Sequence, residues 1–174
     1  MQGISTKRME VFRELERLKI DIAVLTETKS KGQGIEEGKN YLQIYSGVSK
    51  DQRAKCGVSL LIKKKYKKCI KEWQYINERI VQVQMRLNGH DVNIIGVYAP
   101  NDDADDKQKE KFYRTLGCMM DKNSSRKAVT FFIYIGRWSV QSFFHFLQPI
   151  QADARVVTHN YIMIASFHFL SNYA

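Results

Sequence analysis

The chain has 174 residues, 44% of them hydrophobic, which suits one domain with an ordinary core and excludes a disordered polyelectrolyte. Its formal net charge of +10 points to a polyanionic partner, nucleic acid before an acidic membrane surface. No stretch approaches the roughly 18 apolar residues of a spanning helix, and the opening residues Met1–Arg8 carry no apolar signal core, so the expected setting is intracellular, nucleus or cytoplasm.

Ser5 or Thr6 can cap a helix running to about Leu18, with Met9, Val11, Phe12, Leu15 and Leu18 on one face. Ile20–Thr26 is a short apolar run that suits a buried strand. Thr28–Lys39, with Gly32, Gly34 and Gly38, reads as a polar loop. Tyr41–Ser46 and Cys56–Ile62 read as strands, and Lys63–Lys68 is a basic block. Residues Arg79–Leu87 alternate cleanly, Ile80, Val81, Val83, Met85 and Leu87 against Gln82, Gln84 and Arg86. Asn88-Gly89 is a two-residue hairpin signal, and Asp91–Val97 returns as the partner strand. The acidic run Asp102–Asp106 is placed to start a helix through Phe112, Tyr113, Leu116 and Met119. Ala128–Ile135 is a further apolar run, expected as a central strand. After Trp138 the composition changes: residues 139–174 are crowded with aromatics and carry only Asp153 and Arg155 as charged side chains. Two regions follow, 1–138 and a divergent, aromatic-rich tail 139–174.

The cysteines Cys56, Cys69 and Cys118 are an odd number without metal-ligand spacing, and read as free thiols of a reducing compartment. His90, His145, His159 and His168 sit in no metal spacing either.

Four segments in order carry a resemblance: Leu18–Lys29 (L-K-I-D-I-A-V-L-T-E-T-K), Cys56–Ile62 (C-G-V-S-L-L-I), Ile76–Val83 (I-N-E-R-I-V-Q-V) and Val92–Asp103 (V-N-I-I-G-V-Y-A-P-N-D-D). Together they resemble the endonuclease/exonuclease/phosphatase superfamily. The likeness is greatest to the apurinic-type endonuclease domain of non-LTR retrotransposons and the craniofacial-development-protein-like genes derived from it. The resemblance implies a partial four-layer α/β/β/α sandwich, an α+β arrangement, with the active site among loops at the strand ends. We expect Ile20–Thr26, Cys56–Ile62, Arg79–Leu87 and Asp91–Tyr98 to share one sheet, with both helices covering one face. Separate sheets, or a helical Ile20–Thr26, would overturn the family assignment.

The resemblance also implies roles. Glu27, at the end of an apolar strand, takes the place of the carboxylate that holds Mg²⁺, a hard cation that prefers oxygen ligands. Tyr98 and Asn101 take the places of groups at the attacked phosphate, where a phenol donates and an amide both donates and accepts. Arg79 takes the place of an arginine on DNA phosphate, a task that suits a bidentate guanidinium. Without the resemblance, these are a solvated glutamate, a strand-end tyrosine, a turn asparagine and a surface arginine. Lys63, Lys64 and Lys65, with Lys67 and Lys68, are candidates for binding nucleic acid through its phosphates, or else a solvated tip. Glu27, Arg79, Tyr98 and Asn101 are expected at one sheet edge, with Glu27 and Tyr98 within about one helix diameter, on the order of 10 Å.

The family pattern breaks in several places. Its first motif has an asparagine before a Gly-containing turn, which would fall upstream of Met1-Gln2-Gly3-Ile4. Where the family has Gly-Asp-(Trp or Phe)-Asn, this chain reads Gly136-Arg137-Trp138-Ser139. A guanidinium cannot orient a water as a carboxylate does. No Ser-Asp-His triplet follows; Ser166-Phe167-His168 and Asn160-Tyr161-Ile162 are superficial likenesses. The expected function is an endonuclease-like domain whose ancestor hydrolysed DNA phosphodiester bonds with Mg²⁺, itself catalytically inactive. The alternatives are a basic nucleic-acid-binding module without catalysis and a non-functional translated remnant.

Overall fold

The computed structural model describes residues 3–54, 56–101, 103–124, 129–135, 154–159 and 162–167. The sequence expectations for Gly136, Arg137, Trp138, Ser139, Asn160 and His168 lie outside them. In chain order the elements are α1 (Gly3–Arg17), β1 (Ile22–Thr26), β2 (Gln33–Glu37), β3 (Tyr41–Ser46), β4 (Val58–Lys63), a 3-10 segment Lys64–Cys69, β5 (Ile70–Asn77), β6 (Ile80–Leu87), β7 (His90–Tyr98), α2 (Asp106–Ser124), β8 (Val129–Ile135), β9 (Ala154–His159) and β10 (Ile162–Phe167).

The fold is an α/β sandwich. Its first sheet has the order β2-β3-β4-β1-β10-β9, its second β5-β6-β7-β8. Alternation along the strands explains the layering. Ile22 and Val24 of β1 and Val58, Leu60 and Ile62 of β4 pack in one core with Val81, Val83 and Met85 of β6 and Val92 and Ile94 of β7. The opposite faces are covered separately. Leu15 of α1, with Val11, Phe12 and Leu18 beside it, packs on Ala23, Tyr41 and Leu61 of the first sheet. Phe112, Leu116 and Met119 of α2 pack on Ile80, Ile95 and Val97 of the second. Helix, sheet, sheet and helix therefore stack in four layers.

This corrects the expectation of one shared sheet with both helices on one face. β1 and β4 belong to the first sheet, β6 and β7 to the second, and the helices lie on opposite outer faces. The physical reason is that the inward residues of β1 and β4 need an apolar layer opposite them, and β6 and β7 supply it. By that criterion the family assignment, as framed on a single sheet, is overturned. The four-layer order is nonetheless the one the resemblance itself implies.

Four strands escaped the sequence reading: β2, β5 and, in the tail, β9 and β10. β2 lies inside the stretch read as loop; nearly all its residues are exposed, and its ladder to β3 rather than any apolar pattern defines it. β5 is the edge of the second sheet, with Lys71–Gln74 all exposed, so no alternation marked it. Helix α1 begins at Gly3, which places Ser5 and Thr6 inside it rather than at its cap. Met9, expected on the apolar face of α1, is 51% exposed. The Asn88-Gly89 turn has both residues at positive φ, +49° and +83°, as a two-residue hairpin between twisted strands requires. β7 then continues through α2 to β8, which pairs with it in parallel.

Candidate functional site

Alternation in β7 points Val92, Ile94 and Tyr98 between the sheets. Gly96 shares that parity, and a Cβ there would stand 3.3 Å from Val24 of the first sheet, so the two sheets approach closely just before the strand ends. Tyr98 therefore emerges where β7 meets the end of β1. There the phenol donates to Glu27 Oε1 at 3.2 Å. Glu27 itself is exposed and sits at φ +52°, a left-handed conformation that costs a non-glycine residue about 1–2 kcal/mol.

Neighbouring glycines hold that conformation. A Cβ on Gly47 would stand 2.0 Å from the Ser30 carbonyl oxygen, and one on Gly57 2.5 Å from Thr28 Oγ1. The Thr28 amide donates to the Gly57 carbonyl at 3.3 Å, and the Gly32 amide to the Val48 carbonyl at 2.6 Å. The loop after β1 is thus pressed against the β3–β4 connection at both glycines.

Arg79 arrives from the second sheet. Its amide donates to Asn77 Oδ1 at 2.8 Å, which shapes the β5–β6 turn, and its carbonyl accepts the Tyr98 amide at 2.8 Å. Its guanidinium lies over the Tyr98 ring at 5.1 Å and donates to the Ala99 carbonyl at 3.2 Å. Ser46 at the end of β3 donates to the Asn77 carbonyl at 2.7 Å, tying the two sheets at this end. Burial and the Glu27 carboxylate push the Tyr98 phenol above its ordinary value, against the opposing pull of Arg79. Thr28 Oγ1 and Arg79 Nε are buried without a hydrogen-bond partner among the described residues.

The structure thus brings Glu27, Tyr98 and Arg79 together, well inside the distance expected. The place differs: the trio spans the ends of two facing sheets, not the edge of one. Asn101 is exposed, and its carbonyl accepts the Ala104 amide at 3.0 Å in the turn that leads to α2.

Lys63, Lys64 and Lys65 are elsewhere. β1 and β4 are antiparallel, with Ile22 opposite Ile62 and Thr26 opposite Val58. The basic block therefore lies at the other end of the first sheet, roughly 16 Å from Val58 by strand rise. Four of its lysines are paired, sharing two carboxylates. Lys63 pairs with Asp21 at 3.4 Å, Lys65 with Asp21 at 2.8 Å, and Lys64 and Lys67 with Glu37 at 3.0 and 2.6 Å. Spacing along the chain gave no sign of these partners, because Asp21 and Glu37 come from other strands' ends.

A tightly held metal needs several oxygen or nitrogen donors. Among the described residues no three His, Cys, Asp or Glu side chains gather, and Glu27 is the carboxylate that the trio itself supplies. These residues alone do not make a Mg²⁺ centre. The three cysteines are free, Cys56 buried, Cys69 half-buried and Cys118 exposed.

Among known proteins, the chain is similar to craniofacial development protein 2 of Bos taurus, 28% identical over 131 residues, and to that of Tragulus javanicus, 26% identical over 131 residues. The alignments cover 75% of this chain but 21% and 22% of those proteins, so the chain spans about a fifth of the relatives it matches. No family model matches it.

Proposed function

We propose that this chain is an endonuclease-like domain of retrotransposon origin, related to the Mg²⁺-dependent phosphodiesterases of the endonuclease/exonuclease/phosphatase superfamily, and that it no longer turns over. The observation that carries the reading is the Glu27–Tyr98–Arg79 contact, assembled from two sheets at one end of the sandwich. Three residues singled out by different segments of the resemblance meet there. Four layers of helix, sheet, sheet and helix support it further. The chemistry of such a place is recognition of a phosphate: Arg79 supplies positive charge, and the Tyr98 phenol, whose one O–H is donated to Glu27 here, would have to turn that donor to a phosphate oxygen. Hydrolysis needs in addition a group that activates water. Arg137 stands where the resemblance calls for that acid, and losing one member of an interdependent set costs orders of magnitude in rate.

The test is a nicking assay on supercoiled plasmid and on abasic duplex DNA with Mg²⁺. We expect no cleavage above background. Arg137→Asp with Ser139→Asn should not restore turnover either, because no Asp-His pair supplies the base. Robust Mg²⁺-dependent cleavage by the native chain, abolished in Glu27→Ala, would overturn the proposal.

A further inference from the structure

Ion pairing is distributed unevenly over the two ends of the sandwich. At the far end the four lysines of residues 63–67 are all held in ion pairs, sharing Asp21 and Glu37. At the Tyr98 end, Lys29 and Lys31 in the loop after β1 and Lys50 and Arg53 in the β3–β4 connection are all exposed, and among the described residues none forms an ion pair. The two loops run side by side. Lys31 and Val48 form a parallel bridge, Lys31 Nζ donates to the Lys50 carbonyl at 3.1 Å, and a Cβ on Gly32 would meet the Lys50 side chain at 3.6 Å. Asp51 lies among them, but its carboxylate accepts from Ser49 Oγ; that bond first, and the charge of Lys31 more weakly, hold it below the usual carboxylate range.

We infer that loops 28–32 and 47–54 form a docking surface for the phosphate backbone of a nucleic acid, with Lys29, Lys31, Lys50 and Arg53 supplying the charge. The inference rests on the reading of a phosphate-recognising site beside them, since Arg79 and Tyr98 continue the same end of the molecule. A lipid surface fits less well. Membrane-seeking loops carry exposed apolar side chains among their cations, and here Val48 is buried while the exposed positions are Lys, Ser, Asp, Gln and Arg. The surface has a second sign. β7 delivers the chain at this same end to Asp103, Asp105 and Asp106, all exposed, so a polyanion is steered toward the first sheet's loops and away from the start of α2.

The test is binding of a labelled DNA duplex by anisotropy across a salt series, with the native chain, Lys31→Gln/Lys50→Gln/Arg53→Gln, and Lys64→Gln/Lys67→Gln. Native binding should fall steeply with salt. The first variant should flatten the log–log slope by about 2.7 if each of its three cations contacts a phosphate. The second variant should leave the slope unchanged. Lys50→Gln/Arg53→Gln removes no side-chain hydrogen bond among the described residues and serves if the first variant unfolds; it should flatten the slope by about 1.8. A slope changed only by Lys64→Gln/Lys67→Gln, no DNA binding at low salt, or tighter binding to anionic lipid vesicles than to DNA would each overturn the inference. None of these outcomes decides the nicking assay, so the proposed origin stands or falls separately.

Discussion

Tyr98 is held between a carboxylate that accepts its hydrogen bond and a guanidinium over its ring. Burial raises its pKa first, the Glu27 charge second. Glu27→Gln removes the charge and leaves the burial. Tyr98 should therefore titrate at lower pH in the variant than in the native chain, yet still above its ordinary value near 10. The difference in phenolate absorbance between each protein and its Tyr98→Phe counterpart isolates this residue; identical difference curves would mean that the two side chains do not meet. Gly47 makes the second residue-scale case. A methyl group there collides with backbone, which cannot swing aside as a side-chain end could. Gly47→Ala should lower stability by about 2–3 kcal/mol, read as a reduced midpoint of chemical unfolding. Glu27, Arg79 and Tyr98 were singled out only through the resemblance; the apolar pattern located the strand ends they occupy but gave them no role. The glycine clamp was not legible in the sequence, since Gly47 and Gly57 do their work against residues from another loop.

At the scale of elements, the carboxylate of Asp21, just ahead of β1, fastens the far end of the first sheet. It receives Tyr66 Oη at 2.9 Å and pairs with Lys63 and Lys65. Burial acts to raise its pKa, but Lys65, Tyr66 and Lys63 together outweigh burial and hold it below the usual value of 3.8. A carboxylate whose pKa is depressed on folding contributes stability that is present above its unfolded pKa. That stability is lost as pH falls through the folded value. The contribution of Asp21 should thus be complete at neutral pH and disappear below about pH 4. Asp21→Asn should cost about 2 kcal/mol at pH 7 and much less at pH 3, a convergence that paired unfolding curves would reveal. An equal loss at both pH values would assign the effect to packing instead. Strands with a buried face were readable in the sequence, β3 to the residue, because alternation is written into them. β2 and β5 were not. Both are sheet edges with exposed side chains, and backbone pairing leaves no pattern in the residues that perform it.

At the scale of the whole molecule, burial of β1 on both faces makes its neighbours in the sheet decisive. β4 covers one edge, and β10, from the region beyond residue 138, covers the other with Val24 opposite Met163 and Leu25 opposite Ile162. β9 then pairs with β10 along its full length. A change in composition after Trp138 suggested a boundary, yet composition reports charge and aromatic content, not which backbone a strand will join. Without β10, the strand Ile22–Thr26 would present an open row of amides and carbonyls flanked by apolar side chains, the arrangement most prone to pairing with another molecule. A chain ending at Ile135 should therefore self-associate and unfold at a lower temperature than the full chain. Light scattering and thermal denaturation at several protein concentrations measure both effects. A truncated chain that stays monomeric and melts like the parent would show that β1 needs no partner on that side, and that residues 139–174 are an appendage to a sandwich already complete.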